Sequence, residues 1–301
     1  MDKLVSIIIP NYNHSKYLDN RIQSILCQTY QEFEIIILDD CSSDNSKEII
    51  EAYRDNPKVT QIIYNTVNSG SPFKQWKKGI QLAKGSIIWI AESDDSCEPN
   101  ILEELLKRYL SSNAVLAFAR SRVIDQNDNE LFFDFQDDLK SDISLDGHSF
   151  IQQYLVYKNV VCNASGAIFS KEAALRIDDS YMTFKGSGDW LFWINLVTQG
   201  NVEFINRSLN YFRVQGQNAT LKVIKSGLAK IENKRIYDYL LDESIIDDVL
   251  YTKLRDREIK KIYFSHLYDK ETRNNLLQCW HVSKLYHIKL WLTDLFIRIK
   301  K

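Results

Sequence analysis

Three acidic residues within four positions, Glu92, Asp94 and Asp95, offer the clearest candidate chemistry in this sequence. Adjacent carboxylates repel each other where solvent is partly excluded, and a divalent cation relieves that repulsion. Oxygen ligands suit Mg²⁺ or Mn²⁺, which usually keep several waters and bridge to phosphate groups. We therefore predict a metal and diphosphate site at Asp94 and Asp95. The alternative is an acidic loop that caps a helix beginning near Pro99.

The acids directly follow a short segment that is typical of a buried strand. Residues 87–90 are all large and apolar, and Gly85 precedes them. Such a run is expected in a parallel sheet that is covered on both faces. Carboxylates at the end of this strand lie at the carboxyl edge of the sheet, where open α/β sheets bind their ligands.

A further acidic cluster, the first along the chain, follows another apolar segment, so the acids at 92–95 form the second cluster. Residues 33–38 predict a strand, and Asp39, Asp40 and Asp44 come directly after it. With strands at 4–9 and 59–64 and helices between them, the predicted order is βαβαβαβ with right-handed crossovers. Both clusters then lie on one edge of the sheet. A nucleotide could use the first cluster for its base and ribose, and the second, through a metal, for its diphosphate.

The rest of the chain is predicted from periodicity and turn residues. The expected segments are helices at 99–110, 149–157 and 190–198, strands at 114–119, 202–205 and 209–212, a hairpin over 122–133, and a strand-like run at 160–169. After about Val223 glycine nearly disappears, and residues 225–301 predict three or four helices. The basic amphipathic stretch 285–301 could lie on an anionic membrane surface or pack on its own domain.

Composition limits the possible functions. The formal net charge of −2 over 301 residues gives no indication of nucleic-acid binding. The five cysteines include no C-x-x-C pair, which favours reduced thiols in a cytoplasmic protein. Residues 1–3 lead straight into the first strand, so we expect no signal peptide. No apolar run approaches the roughly 20 residues that a membrane span needs.

Three motifs occur in a characteristic order: VSIIIPNYN at 5–13, LDDCSSD at 38–44 and AESDD at 91–95. Together they resemble the inverting family-2 glycosyltransferases, over about residues 4–215. The resemblance implies an α/β GT-A fold, which is Rossmann-like, with a mostly parallel sheet flanked by helices. We therefore expect a glycosyltransferase domain at 1–220 and a C-terminal all-helical region at 221–301 for acceptor, oligomer or membrane-surface contacts.

The resemblance also implies a nucleotide-sugar donor, usually a UDP-sugar. Pro10 and Tyr12 would then line the base pocket. Asp40, with Asp39 nearby, would accept a hydrogen bond from the uracil N3–H, which an ionised carboxylate can do. The alternative for both acids is that they cap the following helix.

The same resemblance implies a divalent metal, Mn²⁺ or Mg²⁺, at the second acidic cluster. Asp95 is the expected metal ligand, and Asp94 would contact the ribose, the metal or a metal-bound water. The metal would screen the diphosphate as the leaving group departs.

A third element, GDWLFW at 188–193, resembles the family's acidic residue at the start of a helix. Asp189 is then the candidate general base, which takes a proton from the acceptor hydroxyl as that oxygen attacks the anomeric carbon. The alternative is that Asp189 only caps the helix.

Three positions depart from the family's pattern. Trp76 stands where many relatives have Arg, and Lys74 or Lys77 could supply the lost charge. Ser187 replaces the commoner acid before Asp189. Gln215 stands where many relatives have His near the diphosphate, while Arg213 keeps a positive charge there. We expect Lys74, Arg213 and Gln215 as diphosphate contacts.

The sequence thus predicts an enzyme that moves a sugar onto a hydroxyl of a glycan or lipid-linked acceptor in bacterial surface polysaccharide synthesis. It would be cytoplasmic, with a possible peripheral contact at the inner face of the membrane, and a homo-oligomer is compatible with the sequence. One alternative is a nucleotidyltransferase that makes nucleotide-sugars, although residues 11–14 lack the Gly-rich basic loop of such enzymes. The other is a non-catalytic nucleotide-sugar-binding protein.

Overall fold

Apolar runs in the first third of the chain form parallel strands that are buried on both faces. Val5–Asn11 (β1), Phe33–Asp39 (β2) and Ile87–Ile90 (β4) are buried at every position, as expected for a sheet covered by helices. β1 lies between β2 and β4, and Val59–Tyr64 (β3) pairs with the outer side of β2. The computed structural model describes residues 3–214, 226–283, 285–286 and 288–292.

The sheet continues with strands of mixed direction. Its order is β3-β2-β1-β4-β8-β6-β9-β5, and β7 pairs with β9. The later strands are Ser96–Cys97 (β5), Ala114–Ile124 (β6), Ile143–Asp146 (β7), Ala167–Ser170 (β8) and Asn201–Arg213 (β9). Of the nine described strands, six run in the direction of β1, because β5, β7 and β8 form the antiparallel pairs. The expected mostly parallel GT-A sheet, with flanking helices, is confirmed.

Helices cover both faces of this sheet. Side chains alternate along β1, so Ile7 and Ile9 join the core cluster that contains Leu18 and Leu102, while Ile8 faces the opposite side at Gly79. The helices of this unit are Ser15–Leu26 (α1), Ser46–Glu51 (α2), Pro72–Leu82 (α3), Ile101–Ser111 (α4), Gly147–Phe150 (α5), Lys171–Leu175 (α6) and Gly188–Val197 (α7). A short π-helix, Ile151–Leu155, directly follows α5.

The chain divides into two compact units. The first contains Met1–Thr183 and Gly188–Gly216, and the second contains Phe184–Ser187 and Gln217–Lys301. The predicted domain boundary at 220/221 lies outside the described residues, as does most of the basic stretch 285–301. None of the helices in the described ranges is both long and apolar enough to cross a bilayer.

The second unit is helical, in agreement with the prediction. Its helices are Leu228–Asp242 (α8), Asp248–Phe264 (α9) and Lys270–Cys279 (α10). Asp247 and Asp269 cap α9 and α10 by accepting backbone N–H groups, which is the usual role of Asp at a helix start. Buried Glu258 on α9 accepts hydrogen bonds from the side chains of Lys230 and Lys261, so its charge is compensated inside the unit.

A second buried glutamate of the helical unit holds a loop. Glu232, 1% exposed, accepts the backbone N–H groups of Lys185, Gly186 and Ser187 at 2.6, 3.0 and 2.8 Å. The segment Phe184–Ser187 therefore belongs to the helical unit although it lies within the sequence of the first one.

Three local predictions are wrong. The two strands predicted at 202–205 and 209–212 form one strand, β9, because a register shift opposite Arg120 accommodates the polar residues between them. The run 160–169 is a strand only over β8, since Asn163 bonds the Ser165 N–H and closes a 3₁₀ turn. The hairpin at 122–133 is reduced to one bridge between Ile124 and Glu130.

The close approach of α3 to β1 at Gly79 generates a stability prediction. A Cβ atom at Gly79 would lie 2.4 Å from Cγ2 of Ile8, a fully buried, β-branched side chain. We expect Gly79→Ala to destabilise the protein by about 1–3 kcal/mol through overpacking, although alanine favours helix by about 1 kcal/mol. Urea denaturation measures the change. The control, Gln81→Ala at an exposed position of α3, should be neutral or stabilising, and a stabilised Gly79→Ala variant would contradict the packing argument.

Candidate active site

The turn after β4 carries the candidate metal-binding acids. Asp95 is 2% exposed and accepts three hydrogen bonds, from the Asn163 amide at 2.9 Å, the Ser165 hydroxyl at 2.6 Å and the Arg213 backbone N–H at 2.8 Å. The side chain of Asp94 is 18% exposed. The adjacent acids therefore differ: Asp95 is enclosed by neutral donors, and Asp94 faces more of the solvent.

Burial changes the protonation of this cluster. Burial and the nearby charge of Asp94 raise the pKa of Asp95 to about 7. Burial raises the pKa of Glu92 to about 8, assisted by the charges of Asp94 and Asp95 and opposed by a hydrogen bond from the Trp76 indole N–H at 2.8 Å. A cation bound at this turn would lower the pKa values of both residues again, because positive charge favours the ionised carboxylates.

The donor set fits a metal that is shared with a phosphate ligand. Within the described part of the chain, no group of three or more His, Cys, Asp and Glu side chains could enclose a metal ion. Mg²⁺ commonly binds one or two carboxylates and completes its shell with water and substrate phosphates. Asp94 offers such a carboxylate. His14 lies beside it, with Nδ1 4.0 Å from Asp94 Oδ1 and 2.9 Å from Ser93 Oγ.

The first acidic cluster organises the loops at the ends of β1, β2 and β3. Asp39 accepts from the Asn11 amide and from both the N–H and the hydroxyl of Ser42. Asp40 accepts from the side chains of Asn65, Ser69 and Gln75, and from the Ser69 N–H.

These bonds bear on both interpretations of the first cluster. They go to loops and to α3, so neither Asp39 nor Asp40 caps α2. The acid at the start of α2 is instead Asp44, which accepts the N–H groups of Ser46 and Ser15. A carboxylate has about four lone-pair sites, so the four donors around Asp40 match its capacity. Recognition of uracil by Asp40 stays a prediction.

The remaining predicted base-pocket residues lie at the end of β1. Pro10 is buried and aligned with Leu38 of β2. Tyr12, in the following loop, is 47% exposed, so its ring is accessible to a ligand. The next residue, Asn13, joins this loop to the first acidic cluster, because its N–H donates to the Ser42 hydroxyl.

Asp189 lies in the first turn of α7, where the sequence predicted it. Its Oδ1 accepts the Trp190 N–H at 2.8 Å, and its Oδ2 accepts the amide of Asn159 at 2.8 Å. The preceding position requires glycine, because a Cβ atom on Gly188 would lie 2.4 Å from the carbonyl oxygen of Tyr181. Asp189 is thus held by a backbone group of its own helix at Oδ1 and by another element at Oδ2, and its role as base stays a prediction.

Residues 159–165 form a loop that connects the two candidate catalytic groups. Asn159 bonds Asp189, while Asn163 and Ser165 bond Asp95. The sequence pattern did not indicate a role for these three polar residues, because the apolar residues around them resemble a strand. The available signal was the break in the apolar run at Asn163, Ser165 and Gly166.

The three predicted diphosphate contacts differ in their surroundings. The Arg213 guanidinium is 1% exposed and lies over the Tyr17 ring. It donates to the carbonyl groups of Asp94 and Asp125 and to the Asp128 carboxylate. Little of its surface is left for a phosphate. Lys74 is exposed on α3 and donates to the Ser69 carbonyl. Gln215 lies outside the described residues. All three assignments stay predictions.

Comparison with known proteins identifies the group to which this chain is similar. A sequence model described as glycosyl transferase family 2 matches residues 6–177, more than half of the chain. Glycosyltransferase GlyG of Streptococcus pneumoniae is 35% identical over 133 residues, which are 44% of each chain. An uncharacterised glycosyltransferase of Nostoc is 25% identical over 292 residues, covering 93% of this chain and 87% of that protein. The match thus spans less than half of GlyG.

Solved structures show the same fold at low sequence identity. The Staphylococcus aureus TarS fragment 1–349, crystallised with UDP-GlcNAc, matches with a TM-score of 0.67 and 18% identity, over 96% of this chain and 78% of that one. TarS is named as a poly(ribitol-phosphate) β-N-acetylglucosaminyltransferase. Its sequence is 35% identical to this chain over 103 residues, which are 18% of the length of TarS. The fold is GT-A.

The raised pKa of Glu92 generates a prediction about stability and pH. The unfolded-state value is near 4.3, so the folded protein holds this proton more tightly. As the pH rises from about 4 to about 8, Glu92 loses its proton more readily in the unfolded chain than in the folded protein, so the free energy of unfolding falls. Glu92→Gln keeps an acceptor for Trp76 and removes that loss of stability. In EDTA, its melting temperature should exceed the parent's by an amount that grows from pH 5 to pH 8, to a few degrees.

The matched control is Glu32→Gln, at an exposed glutamate. Its difference from the parent should not change with pH. A Glu92→Gln difference that stays constant or shrinks toward pH 8 would contradict the assigned protonation.

Proposed function

Because the chain belongs to glycosyl transferase family 2, we propose that it transfers a sugar from a UDP-sugar to a hydroxyl of a glycan or lipid-linked acceptor, with inversion. One observation carries this proposal: residues 159–165 bond both Asp95 and Asp189, so the candidate metal-side acid and the candidate base are set by one loop. The donor class is supported by the UDP-GlcNAc and UDP complexes of TarS, whose fold this chain shares.

The biological setting follows from the relatives. TarS acts on poly(ribitol phosphate), and TuaG of Bacillus subtilis is named as a putative teichuronic acid glycosyltransferase. We therefore place this enzyme in bacterial surface polysaccharide synthesis. Its five cysteines are all unpaired, which fits a reducing, cytoplasmic location. The comparisons favour a glycosyltransferase over a nucleotidyltransferase.

In the proposed donor complex, the nucleotide lies across the carboxyl ends of β1, β2 and β4. Tyr12 offers an exposed ring for the base beside Pro10. Asp40, held by the 65–71 loop and Gln75, is the acid that we assign to the base, and Asp39 supports the turn beside it. Lys74, exposed in the first turn of α3, is the cation we assign to the diphosphate.

The turn that carries Asp94 and Asp95 would hold Mn²⁺ or Mg²⁺. When bound, the ion would screen the negative charge of the diphosphate. Because Asp94 is the more exposed acid, we assign the direct contact to its carboxylate, and we assign Asp95 to fixing the turn through its three donors. The resemblance implied the reverse assignment, with Asp95 as the main metal ligand.

Asp189 acts as the general base. Its carboxylate accepts the proton of the acceptor hydroxyl while that oxygen attacks the anomeric carbon from the face opposite the diphosphate. One displacement inverts the configuration, and the chain needs no nucleophile of its own. The Trp190 N–H and the Asn159 amide hold this carboxylate at Oδ1 and Oδ2.

The base assignment is tested by Asp189→Asn. An amide cannot accept the proton, so UDP release from a panel of UDP-sugars with Mn²⁺ and acceptor should fall by about 10²–10⁴-fold. Binding of UDP, measured by calorimetry, should stay within about threefold because Asp189 is not assigned to the nucleotide. The exposed Asp178→Asn variant is the control and should keep the parent's rate. An Asp189→Asn enzyme as fast as the parent would contradict the proposed mechanism.

The metal assignment is tested by Asp94→Asn without any turnover. UDP should raise the parent's melting temperature more with Mn²⁺ than without, because binding to the folded state stabilises it. In Asp94→Asn, we expect the Mn²⁺-dependent part of that rise to disappear while the part seen without metal stays. Asp178→Asn should behave like the parent. An undiminished Mn²⁺ effect in Asp94→Asn would show that Asp94 is not the metal ligand.

A further inference from the structure

Asn159 holds the candidate base from outside its own helix. It lies four residues after the π-helix Ile151–Leu155, and such single-turn π segments are frequent at functional sites. Its Nδ2 lies 2.8 Å from Asp189 Oδ2. Because an ionised carboxylate only accepts hydrogen bonds, the amide nitrogen must be the atom that faces Asp189.

The two donors to Asp189 fix its plane. The Trp190 N–H holds Oδ1 and the Asn159 amide holds Oδ2, so these two donors come from different elements. A side chain held at Oδ1 alone could still rotate about its terminal bond. Since proton transfer depends on the position of the accepting oxygen, the Asn159 contact restricts a motion that would cost rate.

The chemistry of this donor suits a base. A lysine or arginine in place of Asn159 would also hold Asp189, but its charge would favour the ionised carboxylate and weaken its demand for a proton. Asn159 supplies a donor without charge. The adjacent cation, Lys158, is directed to the carboxylates of Asp137 and Asp138, which neutralise it. The nearby Cys162 thiol is neutral, because burial raises its pKa.

We propose that Asn159 is a positioning residue that sets the orientation of Asp189 for proton transfer. The inference rests on the proposed function, since it assigns Asn159 a role only through the base. The same loop bonds Asp95 through Asn163 and Ser165, so it also sets the spacing between the base and the acids after β4.

A double-mutant cycle tests this role. Steady-state kinetics with a UDP-sugar, Mn²⁺ and acceptor would compare the parent, Asn159→Ala, Asp189→Asn and the double variant. We expect Asn159→Ala to lower kcat about 10–100-fold, with the donor KM within about twofold. In the Asp189→Asn background the same change should cost less than twofold, because there is no base left to orient. An equal loss in both backgrounds would overturn the inference.

Asn159→Asp keeps nearly the same shape as asparagine but replaces the amide donor with a second carboxylate against Asp189. It should therefore be no more active than Asn159→Ala, and an Asn159→Asp variant that keeps the parent's rate would overturn the inference. The control is Asn195→Ala, which removes an amide that bonds the Leu191 carbonyl within α7. It should stay within twofold of the parent, and melting temperatures would confirm that all variants are folded.

The outcome for Asp189→Asn alone distinguishes the two proposals. If that variant keeps the parent's rate, the proposed base is wrong. If it is inactive and Asn159→Ala costs nothing in the parent background, the base stands and the positioning role fails.

Discussion

The buried carboxylate of Asp95 is the interaction on which the site depends. Its three donors come from two other parts of the first unit, the loop before β8 and the end of β9. An enclosed carboxylate without such donors would be strongly disfavoured. The ends of β4 and β9 and the 159–165 loop are therefore held together by one group, and any ligand at this edge of the sheet meets a surface whose parts cannot move independently.

The site uses neutral donors where charged ones would interfere. Amides and hydroxyls from Asn159, Asn163 and Ser165 hold the carboxylates, while the guanidinium of Arg213 is turned to carbonyl groups and to Asp128. Neutral donors fix geometry without cancelling the negative charge that a cation or a departing proton requires.

Much of the fold was predictable because apolar periodicity and the acids after β2 and β4 are local signals. The parallel strands, the edge that carries Asp39, Asp40, Asp94 and Asp95, and Asp189 at a helix start all follow from short stretches of sequence. The partners of those acids were not predictable. Asn159 and Asn163 are distant in sequence from the acids they bond, and a bulge in β9 or a bridge in place of a hairpin depends on neighbouring strands rather than on local residues.

The three backbone N–H groups gathered by Glu232 affect how this protein could be recombined with relatives. Phe184–Ser187 belongs to the helical unit, and the next residue, Gly188, begins the helix that carries Asp189. A chimera joined only near residue 220 would take residues 184–187 from one protein and the Glu232 carboxylate, which accepts their backbone N–H groups, from the other. An exchange of helical regions therefore has three seams, one on either side of residues 184–187 and one at the terminal junction, and the inserted tetrapeptide has to be matched to its own α8.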